Sequence, residues 1–165
     1  MPEHEHAPIA RHAALQPLSR DHYQGLVCAQ ALIRSADDGA EARQDAVRRL
    51  LEAWHAEIAD HFADEERLLD GLIAVASQKR LETEHTYLRE LIQQAAAVPP
   101  QSDPGVELVR HLGEALRDHI RWEERELFNE AERSATPRQL ETISDETTRL
   151  EASRPRSQCH RPKTK

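Results

Sequence analysis

The chain contains little glycine and little cysteine, and it has no long hydrophobic run. Only 5 of its 165 residues are glycine, and 38% are hydrophobic against 32% charged, which is typical of a helical domain with an amphipathic core. No apolar stretch approaches the roughly 20 residues that cross a bilayer, and the N-terminus lacks the basic start and apolar centre of a signal peptide. We therefore expect one cytoplasmic domain with no membrane partner.

The cysteines and the net charge exclude further classes of protein. Cys28 lies in a predicted helix and Cys159 near the C-terminus, so they form neither a disulfide framework nor a thiolate metal site. The formal net charge of -8 argues against the basic face that a nucleic-acid partner would require. Strand signals are also missing, because no β-branched alternating run lies between hairpin turns.

The chain does contain a series of helical patterns separated by glycine and proline. Long helices with short connections predict an all-α protein, an up-down-up-down four-helix bundle. A short fifth, C-terminal helix is expected to follow Thr136, an N-cap residue with proline at the first helical position. The five predicted helices cover residues 15–35, 41–70, 77–97, 106–133 and 137–150.

Both ends of the chain are expected to lie outside the bundle. Residues 1–14 are predicted to be a flexible N-terminus, and residues 15–150 form the bundle domain. Residues 151–165 are basic and contain proline, so we expect a disordered tail.

Histidine is unusually frequent, with 10 residues. It is the commonest metal ligand and it titrates near neutral pH, so either property could explain the excess. Two His-x-x-x-Glu pairs occur, His61 with Glu65 and His119 with Glu123, but this composition gives roughly two such pairs by chance. Their position on the helices must therefore decide whether they face water or the core.

Both pairs fall on the hydrophobic seam of their helices, where apolar residues recur at alternating steps of four and three. In the second helix the predicted seam is Val47, Leu51, Trp54, Ile58, His61, Glu65, Leu68 and Leu72. The same spacing turns one histidine inward on the first helix and one on the third. The inward polar residues are thus His22, His61, Glu65, His85, His119 and Glu123.

Four histidines and two carboxylates in one apolar core need a compensating partner. Burying an unpaired carboxylate costs on the order of several kcal/mol, whereas neutral imidazole and carboxylate both bind a divalent cation. Six donors exceed the four of a structural zinc site, and each carboxylate can bridge two cations. A donor set without sulfur suits iron, manganese or zinc.

The heights of these residues along the bundle agree, except at the first connection. His22 lies closer to Gly39 than His61 does, so a longer loop or an irregular start to the second helix is expected. Glu66 and Glu124 are expected to be solvated neighbours of the site, and a role in orienting the histidines is the alternative.

At these residues the sequence resembles the hemerythrin-like, or HHE cation-binding, family, over about residues 15–133. The pattern is one histidine on helices one and three and His-x-x-x-Glu on helices two and four, here PLSRDHYQGL, HFADEERLL, ETEHTYLREL and DHIRWEERELF. The resemblance implies two Fe ions in an oxo- or hydroxo-bridged di-iron centre, with Mn or Zn as substitutes. Glu65 and Glu123 would be the bridges and the histidines would be terminal ligands.

The sequence departs from the oxygen-carrying members of that family. Those have a second histidine on helix three, where the candidate positions here are Leu81 and Arg89. They also have a histidine before the helix-four ligand where this chain has Glu114, and many bacterial relatives have one at the position of Tyr23. Simple oxygen carriage is therefore not expected, and Glu57, Glu114 or Tyr23 are candidate additional donors.

The resemblance implies a protein that binds or senses O2 or NO, or protects against oxidative and nitrosative stress. Its partner would be a small diatomic ligand, with a reductant or a protein as a further partner. Two other classes stay open. One is a di-iron enzyme, either a peroxidase or NO-reducing enzyme or a protein that delivers iron for cluster repair. The other is an interaction protein that reports iron or redox state to a partner through loss of its fold.

Overall fold

The structure, a computed structural model, describes residues 10–154, which are α-helical with two π-helical segments and contain no strand. The α-helices are α1 (Gln16–Ser35), α2 (Ala40–Ala53), α3 (Ala59–Leu68), α4 (Val75–Ala97), α5 (Val106–Trp122), α6 (Phe128–Ser134) and α7 (Pro137–Ser153). The first π segment, Trp54–Ile58, joins α2 to α3, and the second, Glu123–Leu127, joins α5 to α6. Two of the long helices therefore continue through a wider turn.

Four long helices form an up-down-up-down bundle, and the predicted fold is confirmed. Helix α1 packs against α2 and α5, and α4 packs against the same two helices. Short loops produce this closed order because each helix returns beside the preceding one. The C-terminal helix α7, which the sequence predicts as a short fifth helix after the bundle, lies against α1.

Helix α7 begins where the sequence predicts. Thr136 accepts a hydrogen bond from the backbone N–H of Gln139 at 3.2 Å, and the Gln139 side chain accepts one from the Thr136 backbone N–H at 2.8 Å. This reciprocal cap satisfies two donors that a helix end otherwise leaves unpaired. The helix then continues to Ser153, beyond the expected end at residue 150.

The first π segment changes which side chains of the second long helix face inward. Leu50 is fully buried, whereas Leu51 and Trp54, which the predicted seam includes, are only partly buried. From Ile58 onwards the seam positions through Glu65 are buried as expected. Because a π turn holds an additional residue, it shifts the inward-facing positions before it by one residue, from Leu51 and Trp54 to Leu50 and Ala53. The second long helix is therefore irregular, but the irregular segment lies just before His61 and not at the expected helix start.

A layer of polar side chains divides the hydrophobic core into two clusters. The larger cluster includes Leu32, Leu50 and Leu112, and the smaller one includes Leu69 and Phe128. The buried layer between them contains the predicted donors His22, His61, Glu65, His85, His119 and Glu123. The fold thus places the candidate site at the level where apolar packing is interrupted.

Two expectations concern segments at or beyond the limits of the described chain. The predicted flexible N-terminus and basic tail lie mostly outside residues 10–154, so the domain boundaries stay predictions. Within those residues, each helix is too short or too polar to span a bilayer.

Candidate metal centre

All four long helices contribute to the buried polar layer, and the structure brings the six predicted residues together. They form two groups of three, and within each group the potential ligand atoms all lie within 4.8 Å of one another. None of the six is more than 5% exposed. One group consists of His22, His61 and Glu65, and the other of His85, His119 and Glu123.

Glu65 contacts histidines of both groups. Its Oε1 atom lies 3.1 Å from Nε2 of His22 and 3.0 Å from Nε2 of His61. Its other oxygen, Oε2, lies 3.5 Å from Nε2 of His85, which belongs to the second group.

Glu123 makes the corresponding contacts from the opposite side. Its Oε1 atom lies 2.9 Å from Nε2 of His119 and 3.5 Å from Nε2 of His85. Its Oε2 atom lies 3.1 Å from Nε2 of His22, in the first group. Each carboxylate therefore presents one oxygen to each group of histidines.

Many of these close contacts lack the geometry of hydrogen bonds. Among the described residues, the buried atoms without a hydrogen-bond partner include Nε2 of three of the histidines and one oxygen each of Glu65 and Glu123. Buried polar atoms are rarely left unpaired, because that costs free energy. Donor atoms held about 2.1 Å from a shared cation stand roughly 3.0 to 3.5 Å apart, and the contacts here span 2.9 to 3.5 Å. The residues present therefore fit a cation.

Without a cation, protons balance the two buried carboxylates. Burial lowers the pKa of the histidines, but the surrounding carboxylates outweigh it and raise the pKa of His61 to about 9 and that of His85 to about 10. Burial has the opposite effect on the carboxyl groups, yet the facing histidines hold the pKa of Glu65 and of Glu123 below the usual range. The layer is thus a set of buried ion pairs until a cation displaces the protons.

Three of the histidines donate a hydrogen bond from Nδ1 to a carboxylate outside the layer. Because a carboxylate only accepts, Nδ1 carries a proton in each of these pairs, and Nε2 is the atom that faces inward. Carboxylates commonly orient metal-binding histidines in this way. The three pairs are His22 with Glu124 (2.6 Å), His85 with Glu66 (2.8 Å) and His119 with Glu84 (2.7 Å).

The expectation that Glu66 and Glu124 are solvated neighbours is wrong, and the alternative holds. Each follows a layer carboxylate, and the next helical residue is rotated by about 100°, so its side chain reaches a histidine of a neighbouring helix. Glu84 was missed by sequence reasoning. It precedes His85 on α4 but bonds His119 on α5, and spacing along one helix does not reveal a contact between two helices.

The positions that differ from the oxygen carriers have other roles. Leu81 is fully buried in the smaller hydrophobic cluster. Arg89 donates a hydrogen bond to Glu66 at 3.0 Å, and its guanidinium lies over the ring of Phe62. Neither residue adds a potential metal ligand to the layer.

The three candidate additional donors occupy different surroundings. Tyr23 is 59% exposed, and neither Glu57 nor Glu114 belongs to the two groups of potential ligands. Glu57 nevertheless lines a small cavity together with His22 and His61. Of the three, it is the residue that the fold places beside the layer.

Comparison with known proteins adds independent information. A family model described as the hemerythrin HHE cation binding domain matches residues 26–131, more than half of the chain. That stretch contains all the layer residues except His22, which precedes it. Neither the curated proteins nor the solved structures give a significant match to the chain.

Proposed function

Because the chain belongs to the hemerythrin HHE cation-binding family, as its four motifs predict, we propose that it holds a di-iron centre and reversibly binds or senses O2 or NO. The observation that best supports this proposal is the placement of the two carboxylates. Glu65 and Glu123 each direct separate oxygens at histidines of both groups. That arrangement suits two cations that share both carboxylates.

In this proposal His22 and His61 would hold one cation, His85 and His119 would hold the other, and Glu65 and Glu123 would contribute to both. Six donors leave each cation with fewer protein ligands than iron accepts, so a small molecule has a place to bind. Imidazole and carboxylate without sulfur suit iron, with manganese and zinc as substitutes. Bound iron would supply the change in oxidation state that binding O2 or NO requires.

The protein's own side chains fix and shield the imidazoles. Phe62 stacks on His85 with the ring centres 3.9 Å apart, and Phe128 stacks on His22 at 5.3 Å. Both phenylalanines are at most 2% exposed. Apolar walls of this kind limit the access of water to a metal site, which also suits a role in protection against oxidative or nitrosative stress.

Metal analysis tests the centre itself. Protein produced with iron supplementation should contain about two irons per chain and absorb in the near-ultraviolet and visible range. His61→Ala and Glu123→Ala should lose iron, whereas His111→Ala, a change of an exposed histidine on α5, should not. A protein without bound metal, whose stability is unchanged by the first two substitutions, would contradict the proposal.

Exposure to gas tests the function. Reduced protein mixed anaerobically with O2 or NO should change its absorption spectrum and return to the starting spectrum when the gas is removed. Continuous consumption of the gas with a supplied reductant would instead favour the enzymatic alternative. An iron-loaded protein whose spectrum responds to neither gas would contradict both functions and leave the role of interaction protein.

A further inference from the structure

Three of the four inward histidines donate a hydrogen bond to a carboxylate outside the layer. Each of these carboxylates also pairs with an arginine. A charge-assisted hydrogen bond from arginine fixes the position of the carboxylate, so the imidazole behind it resists rotation. We call each set of histidine, carboxylate and arginine an anchor. The arginines are Arg11 on Glu124 (3.1 Å), Arg89 on Glu66 (3.0 Å) and Arg80 on Glu84 (2.7 Å).

His61 lacks such an anchor. Its Nδ1 atom lies 3.4 Å from Oδ2 of Asp21 without the geometry of a hydrogen bond, and the Asp21 side chain is 50% exposed. No arginine within residues 10–154 pairs with Asp21. His61 also lies shortly after the first π segment, and π turns are frequent where a helix serves a function.

The space beside His61 leads toward the surface. A cavity of about 10 Å³, close to the volume of one water, is lined by His22 and His61 and also by Asp21 and Glu57. A second cavity of about 70 Å³ lies between α1, the first π segment and α7, and the same Asp21 and Glu57 line it. These two carboxylates therefore stand between the buried layer and the outer cavity.

We propose that His61 is the exchangeable ligand of the centre and moves aside when a divalent cation enters or leaves. Asp21 and Glu57 attract the cation to the outer cavity, and because they also line the inner cavity they can contact it on its way to the layer. The anchored histidines keep their positions during this exchange, since each is held from outside the layer. The inference rests on the proposed metal centre and concerns how that centre is loaded.

Anaerobic measurement of Fe(II) affinity separates an anchored histidine from His61. Glu84→Ala removes the carboxylate of an anchor and should weaken Fe(II) binding by about 10-fold or more. Asp21→Ala removes only the 3.4 Å contact of a half-exposed carboxylate and should change the affinity by less than about 3-fold. Circular dichroism checks that both variants keep their helices. An equal loss of affinity in the two variants would show that His61 is held like the others, and would overturn the inference.

Exchange rates test the route. Ala56→Leu enlarges a side chain in the wall of the outer cavity, whereas Ala63→Leu makes the same change at an exposed position of α3 outside it. Ala56→Leu should slow both Fe(II) uptake and Fe(II) release to a chelator by the same factor, about 5-fold or more. The affinity should not change, because a narrower passage raises the barrier equally in both directions. Ala63→Leu should leave both rates unchanged.

The outcomes distinguish this inference from the proposed function. Iron-bound protein whose exchange rates do not respond to Ala56→Leu would overturn the route alone. Wild-type protein that binds no Fe(II) would overturn the proposed function, and this inference with it.

Discussion

His85 is fully buried, yet its pKa is raised to about 10. Burial opposes this rise, and three carboxylates around the ring, those of Glu123, Glu65 and Glu66, produce it. The imidazole is therefore protonated at neutral pH in the metal-free protein. A cation that binds through Nε2 must displace that proton, so metal binding and pH are linked at single residues.

The metal-free protein should lose stability as the pH rises. The raised histidine pKa values contribute stability that is complete below pH 6.5 and lost as the pH passes through about 9 for His61 and about 10 for His85. The lowered pKa values of Glu65 and Glu123 contribute stability above pH 4.5 that is lost on acidification. The free energy of unfolding, measured with urea, should therefore be highest between pH 4.5 and 6.5.

The free energy of unfolding should change by up to about 1.4 kcal/mol per pH unit for each proton that only the native state retains, and this change is the slope to be measured. His85→Gln should reduce the slope above pH 6.5, because it removes the histidine whose pKa is raised to about 10. A free energy of unfolding that does not vary between pH 6.5 and about 9 would contradict this prediction.

Cation binding at neutral pH should release protons into solution. Titration calorimetry with Zn(II) in buffers of different ionisation enthalpy measures the number released. We expect more than one proton per chain, because several inward histidines have raised pKa values. Release should decrease above about pH 10, where His85 has already lost its proton. An observed heat that is independent of the buffer would show that the histidines are neutral before binding.

At the scale of the helices, the first π segment holds one residue more than a regular α-helix would. Deletion of His55 from this segment should allow a regular helix in which the buried residues Leu50, Ala53, Ile58 and His61 follow steps of three and four. Both halves then keep their buried faces, so bound iron should be retained. Deletion of Ala63 from α3 should instead rotate the residues on its two sides by about 100° relative to each other, and iron should be lost. Iron content compared at equal helical signal measures the effect, and loss of iron on deletion of His55 would contradict it.

Close packing of α1 against α5 depends on Gly113. A Cβ atom at Gly113 would lie 2.9 Å from the backbone oxygen of Ala29, whereas one at Gly25 would lie 2.7 Å from Cδ1 of Ile120, the end of a flexible side chain. Gly113→Ala should therefore lower the free energy of unfolding by about 1–3 kcal/mol. Gly25→Ala should cost less than about 1 kcal/mol, because Ile120 can move and alanine favours the helix. Denaturant unfolding of both variants gives the comparison, and equal losses would contradict it.

Sequence reasoning succeeds for the helices where one periodic pattern runs without interruption. The spacing around His119 places it inward, and the structure buries it. It fails at Leu51 and Trp54, because no residue in that segment signals the additional residue of a π turn. Glu84 also escapes, since its partner lies on another helix. Periodicity along one helix specifies a face, but contacts between helices depend on how two faces meet.

For the whole molecule, removal of the metal should lower stability without unfolding the bundle. Protonated histidines still balance the buried carboxylates when no cation is bound, so the helical circular dichroism signal should persist at neutral pH. Added Zn(II) should raise the free energy of unfolding by about 2.7 kcal/mol at 100 times its dissociation constant. Thermal and urea unfolding at several Zn(II) concentrations measure this. Loss of helical signal on metal removal would instead favour the interaction protein that responds through its fold.

The polar layer between the two hydrophobic clusters also restricts the alignment of the helices. In a bundle packed by leucine alone, a helix can slide by one turn, about 5.4 Å, because one leucine replaces another. Here the same slide would move Glu65 or Glu123 against leucine side chains. It would leave a buried charge unpaired at a cost on the order of 3–5 kcal/mol. The residues that suit a cation thus also select one helix alignment from those that the hydrophobic pattern allows.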